Sequence, residues 1–166
     1  MQASRLLPAW GLISAIAATA LQAFASDAPK ASAAKKPDLS CSINVSKSAD
    51  GSNPVASGGV LTFSDGKAKF HVRVTATNAG GAKAVDYTVH ASLWHGKDKT
   101  DFFGSFNKQE FELAAGQAKD FESIAFPFGP RSDTFKITAV LDKGKTVDEL
   151  DESNNSCQLE FTTTKK

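Results

Sequence analysis

The side chains with chemical potential in this 166-residue sequence are two cysteines, three histidines, a late run of carboxylates and an aromatic cluster near its middle. Cys41 and Cys157 allow a single pairing, and an even number of cysteines in an oxidising compartment forms bridges. A redox pair would show Cys-x-x-Cys spacing, which is absent, so a structural disulfide is expected. The histidines offer less. His71 and His90 fall on the outward parity of two different strands, and His95 lies roughly 16 Å beyond His90 in extended chain, too far for joint ligation. All three read as solvated surface histidines, and no metal or other cofactor is expected. Asp142, Asp148, Glu149, Asp151 and Glu152 carry the hard oxygen ligands that calcium prefers, but without the glycine and alternating spacing of a dedicated loop. Structure and solvation are therefore the favoured role of residues 148–152, with a calcium-stabilised domain as the alternative.

The stretch from Trp94 to Phe106 sets Trp94, His95, Phe102, Phe103 and Phe106 among mixed charges. Alternation places Trp94 on the polar side of its strand, and adjacent Phe102 and Phe103 must point to opposite faces. At least one ring is then exposed, and an exposed aromatic cluster marks a binding surface. These five residues form the candidate surface; the competing expectation is that the rings pack beneath the loop or cover a sheet edge. No Gly-x-Ser-x-Gly elbow, His-Glu-x-x-His or phosphate-cradling loop occurs, so no catalytic residue is assigned.

The elements that must position these groups are strands. A chain with 41% hydrophobic and 22% charged residues has room for one domain, and 12 Phe with frequent Val and Thr favour β structure. Alternation recurs over Leu39 to Ser46, Val60 to Phe63, Phe70 to Thr77, Val85 to Leu93, a Phe-rich strand or strand pair from Asp101 to Leu113, Phe121 to Phe128, Phe135 to Leu141, and Ser156 to Thr164. Turn clusters of Gly, Asn, Asp and Ser separate them, at the spacing of an antiparallel β-sandwich of about seven strands. A bulge is expected near Ser123, where both parities are apolar, and Pro127 and Gly129-Pro130 should end pairing. Cys41 shares its parity with Leu39 and Ile43, and Cys157 with Leu159 and Phe161, so both sulfurs face the core and the first and last strands are neighbours. Val147 and Leu150 should cap one end of that core, while Asn154 and Asn155 suit left-handed conformations at the re-entry into the last strand.

Several segments, in order, resemble the CARDB family, the cell-adhesion-related domain found in bacteria. Pro37-Asp38-Leu39-Ser40 looks like its opening strand, and Val72 to Gly80 is similar to its V-x-V-x-N-x-G strand and turn. Leu113-Ala114-Ala115-Gly116 matches its L-x-x-G turn, and Val147 to Asn155 resembles the acidic segment before its last strand. The cysteine pair lies outside the family pattern. The resemblance implies an immunoglobulin-like sandwich over residues 38–164, and binding or adhesion outside the cytoplasm.

Residues 1–25 read as a secretory signal peptide: Arg5, a long apolar stretch, then Ala23-Phe24-Ala25. Residues 26–37 mix Ala, Lys, Pro and Ser and read as a flexible linker. The product should be secreted or periplasmic, without membrane insertion after cleavage. A formal net charge of +1 supplies no field to attract nucleic acid or an anionic membrane. The expected function is non-catalytic binding or adhesion to a protein or glycan at the cell envelope, or else self-association as a structural envelope protein.

Overall fold

Alternating β-branched and aromatic residues make the chain a succession of strands, and no helix occurs among the described residues, which in the computed structural model are 35–64, 68–122, 126–128 and 132–166. The expected signal peptide, most of the expected linker, Ser123 and Gly129-Pro130 lie outside them. The strands are β1 (Leu39–Ser46), β2 (Gly59–Phe63), β3 (Ala68–Asn78), β4 (Ala84–His95), β5 (Asp101–Leu113), β6 (Ala118–Glu122), β7 (Phe126–Phe128), β8 (Asp133–Leu141) and β9 (Ser156–Lys165). They form two sheets, β1-β3-β6 with β7 also on β3, and β2-β9-β8-β4-β5. Leu39, Val74 and Phe121 from the first sheet pack with Tyr87, Val89 and Leu141 from the second, so the sheets are the two layers of a sandwich. The all-β sandwich is therefore the fold. The chain changes sheet between β1 and β2, β2 and β3, β3 and β4, β5 and β6, and β7 and β8.

More strands appear than the expected seven because two are divided. The opening strand splits: β1 pairs antiparallel with β3, whereas β2 pairs parallel with β9, from Gly59↔Phe161 to Phe63↔Lys165. The second sheet is thus mixed rather than wholly antiparallel. Residues 47–58 fold back between them, helped by left-handed Gly51, Asn53 and Gly58, so β2 starts again in the direction of β1. The β3 partner is also divided. Arg73 pairs with Glu122 but Phe70 with Phe126, so the register of β7 on β3 is offset by one residue from that of β6.

Cys41 and Cys157 are bonded, with Cα atoms 5.8 Å apart. Their strands are neighbours across the core rather than within a sheet. β1 is an edge strand of one sheet, and β9 lies inside the other, between β2 and β8. The bridge therefore ties the layers together.

The core divides into two clusters. One end gathers Leu39, Val74, Tyr87, Leu113 and Leu141. The other spends the phenylalanines: Phe70 meets Phe135 and Phe161 edge-on at 5.1 Å each, and Phe135 stacks on Phe161 at 5.2 Å. Such ring pairs stabilise beyond their buried area by about 0.5–1.5 kcal/mol each. Alternation fails at the start of β4. Asp86 has φ 54° and drops out of the β5 ladder, so Ala84 is buried and Val85 turns outward, 43% exposed.

Candidate functional site

At the end where β1 begins, the motif residues serve as anchors for backbone. Asn78 is fully buried. Its Oδ1 accepts from the amides of Asp38 and Gly80 at 3.1 Å each, and its Nδ2 donates to the carbonyls of Ala82 at 2.8 Å and Leu113 at 2.9 Å. One side chain thereby joins the starts of β1 and β4 to the end of β5. Gly80 is required beside it: a Cβ there would lie 2.4 Å from the Lys36 carbonyl oxygen. Gly81 and Ala82 donate to that same carbonyl, so Lys36 is bonded to the domain although it was placed in the linker.

The acidic segment works in the same way. Asp142 is buried with φ 42°; one oxygen accepts from Thr146 Oγ1 at 2.7 Å and the other from the Val147 amide at 2.8 Å. Glu149, also buried, accepts from the Leu39 amide and from Asn155 Nδ2. Left-handed backbone occurs at Asp142 and Lys145 rather than at Asn154 or Asn155, which act through their side chains: Asn154 donates to Asp38 and Asn155 to Glu149. Val147 caps the core, but Leu150 is 62% exposed. With the buried carboxylates occupied by the Val147 and Leu39 amides, Thr146 and Asn155, calcium has few ligands to recruit, and no group of three His, Cys, Asp or Glu among the described residues could hold a metal. Adding millimolar calcium is expected to leave the melting temperature unchanged; a rise on titration would return the segment to the ion.

Burial pushes the Glu149 carboxyl above its usual range, against the lowering effect of its bonds to Leu39 and Asn155. A carboxyl raised in the folded state stabilises most below its unfolded pKa, and that contribution is lost as pH rises through the folded value. Asn155 Oδ1 is buried without a partner, so turning that amide over would present an acceptor to a neutral group at 149. Glu149→Gln is therefore expected to be more stable than the native chain at pH 7, with the advantage vanishing near pH 4. Glu149→Ala should lose about 2–3 kcal/mol by stranding the Leu39 amide and Asn155. Urea unfolding at both pH values checks this; an advantage of Gln that persists at pH 4 would remove protonation as its cause.

The opposite end carries the aromatic candidates, which a bulge sorts into two sets. Leu93 faces Gly104 but Trp94 faces Phe102, leaving Phe103 as the extra residue of β5. Phe103 turns inward, with its ring 5.8 Å from Phe135, and Phe106 packs on the other core cluster. His95 is not a solvated histidine. Its Nδ1 lies 3.0 Å from Asp133 Oδ2, and its ring stacks on Phe135 at 6.0 Å and meets Phe103 at 5.3 Å. Asp133 is held in turn by the amides of Gly96 and Thr134. The pair closes this end of the core, and its members come from different strands, so local sequence gave no signal for it.

Trp94 and Phe102 remain on the outer face. Phe102 is 57% exposed, and the two rings meet edge-on at 5.4 Å. Beyond Trp94, register continues outward-facing positions through Lys136 and Glu160, and Glu160 bonds to Lys99 Nζ. That bond, foremost, holds the Glu160 carboxyl below its ordinary range. Neither Lys99 nor Glu160 stands out in the sequence, because Lys99 in the β4–β5 turn and Glu160 on β9 are 61 residues apart.

No family model matches the chain, and no curated protein matches it. Solved structures do. A crystal structure of a CARDB domain from Pyrococcus furiosus, in complex with di-metal ions, is 18% identical and covers 78% of this chain and 90% of its own, with a TM-score of 0.51. A solution NMR structure of that domain, also 18% identical, covers 79% of this chain and 98% of its own, with a TM-score of 0.50. At that identity the likeness is one of architecture, and the chain has a CARDB-like β-sandwich fold.

Proposed function

We propose that the chain is an exported, non-catalytic binding or adhesion module that engages a protein or glycan of the cell envelope through the corner formed by Trp94 and Phe102. The observation that supports this is an aromatic pair the core does not use: Phe102 stands more than half exposed on the outside of the second sheet while Phe103 beside it fills the interior. An aromatic residue of that kind typically anchors an interface. The disulfide is compatible with a secreted or periplasmic location, and among the described residues no helix is long and apolar enough to cross a membrane.

Capture from an envelope extract tests the reading. Trp94→Ala and Phe102→Ala should each weaken retention of the captured partner about tenfold or more, while Phe102→Ala leaves the melting temperature nearly unchanged. Equal retention by wild type and both variants would refute the corner as the binding site. Self-association as a structural envelope protein is favoured by one observation, Phe111 on edge strand β5 at 77% exposure. Concentration-dependent mass in light scattering, abolished by Phe111→Asp, would support it over the binding module.

A further inference from the structure

The outer face of the second sheet carries a second feature beside the aromatic corner. Register aligns Ser105 of β5, Ser92 of β4, Thr138 of β8 and Gln158 of β9 in one row, all on the outward parity. The row crosses four strands, roughly 14 Å at ordinary strand spacing. It contains hydroxyls and a carboxamide and no charge. At its β8–β9 side lies a groove of about 330 Å³ lined by Thr138, Val140, Ser156, Cys157 and Gln158. At its other side His90 Nε2 and Ser92 Oγ sit 3.1 Å apart. The adjoining row brings Phe102 and Trp94 alongside Lys136 and Glu160, with Glu160 already bonded to Lys99.

We propose that this face binds an uncharged oligosaccharide, with the Trp94–Phe102 corner stacking on a sugar ring and the row from Ser105 to Gln158 exchanging hydrogen bonds with its hydroxyls. The inference rests on the binding-module reading and names the ligand class. Charge selects the occupant. The central row offers no ion to a peptide side chain, a phosphate or a polyanion, and in the adjoining row Glu160 is held by Lys99 and stands opposite Lys136. Hydroxyl and amide groups both donate and accept, which matches the alternating polarity of a saccharide edge. An indole or phenyl ring matches the C–H face of a pyranose, being apolar in body and tolerant of a wet rim. Four strands of width accommodate roughly three linked sugar units across the sheet.

Affinity electrophoresis of the mature chain through gels containing dextran, glucomannan, mixed-linkage β-glucan or galactan tests this, with heparin as the charged control. Retardation by at least one neutral polymer and none by heparin is the expected result. In that polymer Trp94→Ala should raise the dissociation constant about tenfold or more, and Gln158→Ala about threefold. Leu150→Ala, at the opposite end, should bind as wild type. Because Gln158 is exposed, its variant keeps the test valid if Trp94→Ala fails to fold. Retardation by heparin alone, by no polymer, or unchanged in both face variants overturns the proposal. If no neutral polymer binds while envelope capture still depends on Trp94 and Phe102, the glycan inference falls and the binding module stands; if both assays fail, both readings fall.

Discussion

Replacing Cys41 and Cys157 together by alanine is expected to lower the unfolding free energy by about 5 kcal/mol at 25 °C, the largest effect of any small change to this chain. The bridge closes a loop of 116 residues, and loop-closure entropy removed from the unfolded ensemble grows with the logarithm of that length. Typical domains hold only about 5–15 kcal/mol in total, so the variant should stand near the edge of stability. The folded-state contribution points the same way. β1 is an edge strand whose ladder is to β3 alone, and the bridge is its covalent tie to the opposite layer. Alanine is the informative replacement because serine would add a hydroxyl to a partly buried site packed against the core. Urea titration measures the loss, and the slope should steepen because the uncrosslinked chain unfolds to a more open state. A loss below about 1 kcal/mol would show that the bridge merely decorates two sheets already held by packing.

Alternation made the sheets legible where both partners of a strand are regular. In β8, Phe135, Ile137, Ala139 and Leu141 are all buried while Lys136, Thr138 and Val140 are less so, as period two requires. The cysteine pairing was legible for a different reason: two cysteines leave no choice. What period two could not show is where a strand departs from regular geometry. Asp86 in a left-handed conformation moves Val85 to the outside, and the extra residue in β5 sends Phe103 rather than Phe102 into the core. The second depends on the partner strand, and adjacent phenylalanines give no local sign of which ring goes in.

Direction and long-range polar pairing were hidden too. β2 reads like any short strand, and its parallel pairing with β9 follows from how residues 47–58 turn back, which involves contacts as distant as the Gly58 amide on the Glu160 carbonyl. The His95–Asp133 contact joins residues 38 apart, and neither stands in a motif. By contrast, the segments that carried the family resemblance turn out to share one physical task. Asn78, Gly80 and Glu149 satisfy or closely approach backbone at a single end of the sandwich, so resemblance there reports folding, while the aromatic corner lies at the other end.

That division gives the second large effect. Asn78→Ala should cost about 4 kcal/mol, because it strands two backbone amides and two backbone carbonyls where one amide side chain served them all. The four penalties do not add in full, since water can enter the vacated space and the β3–β4 turn can relax, which keeps the cost below the simple sum. Asn78→Asp separates lost shape from lost donors. It preserves size and the acceptor facing Asp38 and Gly80, but turns the Nδ2 donor into an acceptor aimed at the Ala82 and Leu113 carbonyls. At pH 7 it also buries a charge, so it should destabilise at least as much as alanine. Acid should then recover part of the loss in Asn78→Asp, because a protonated carboxyl regains one donor, whereas Asn78→Ala gains nothing of that kind. Urea unfolding of both variants at pH 7 and near pH 4, each referred to the native chain at the same pH, reads out the difference. If Asn78→Asp instead matches the native chain at pH 7, the carbonyls of Ala82 and Leu113 do not depend on that donor, and the end of the sandwich is held by packing around Leu39, Leu113 and Val147 rather than by the buried amide.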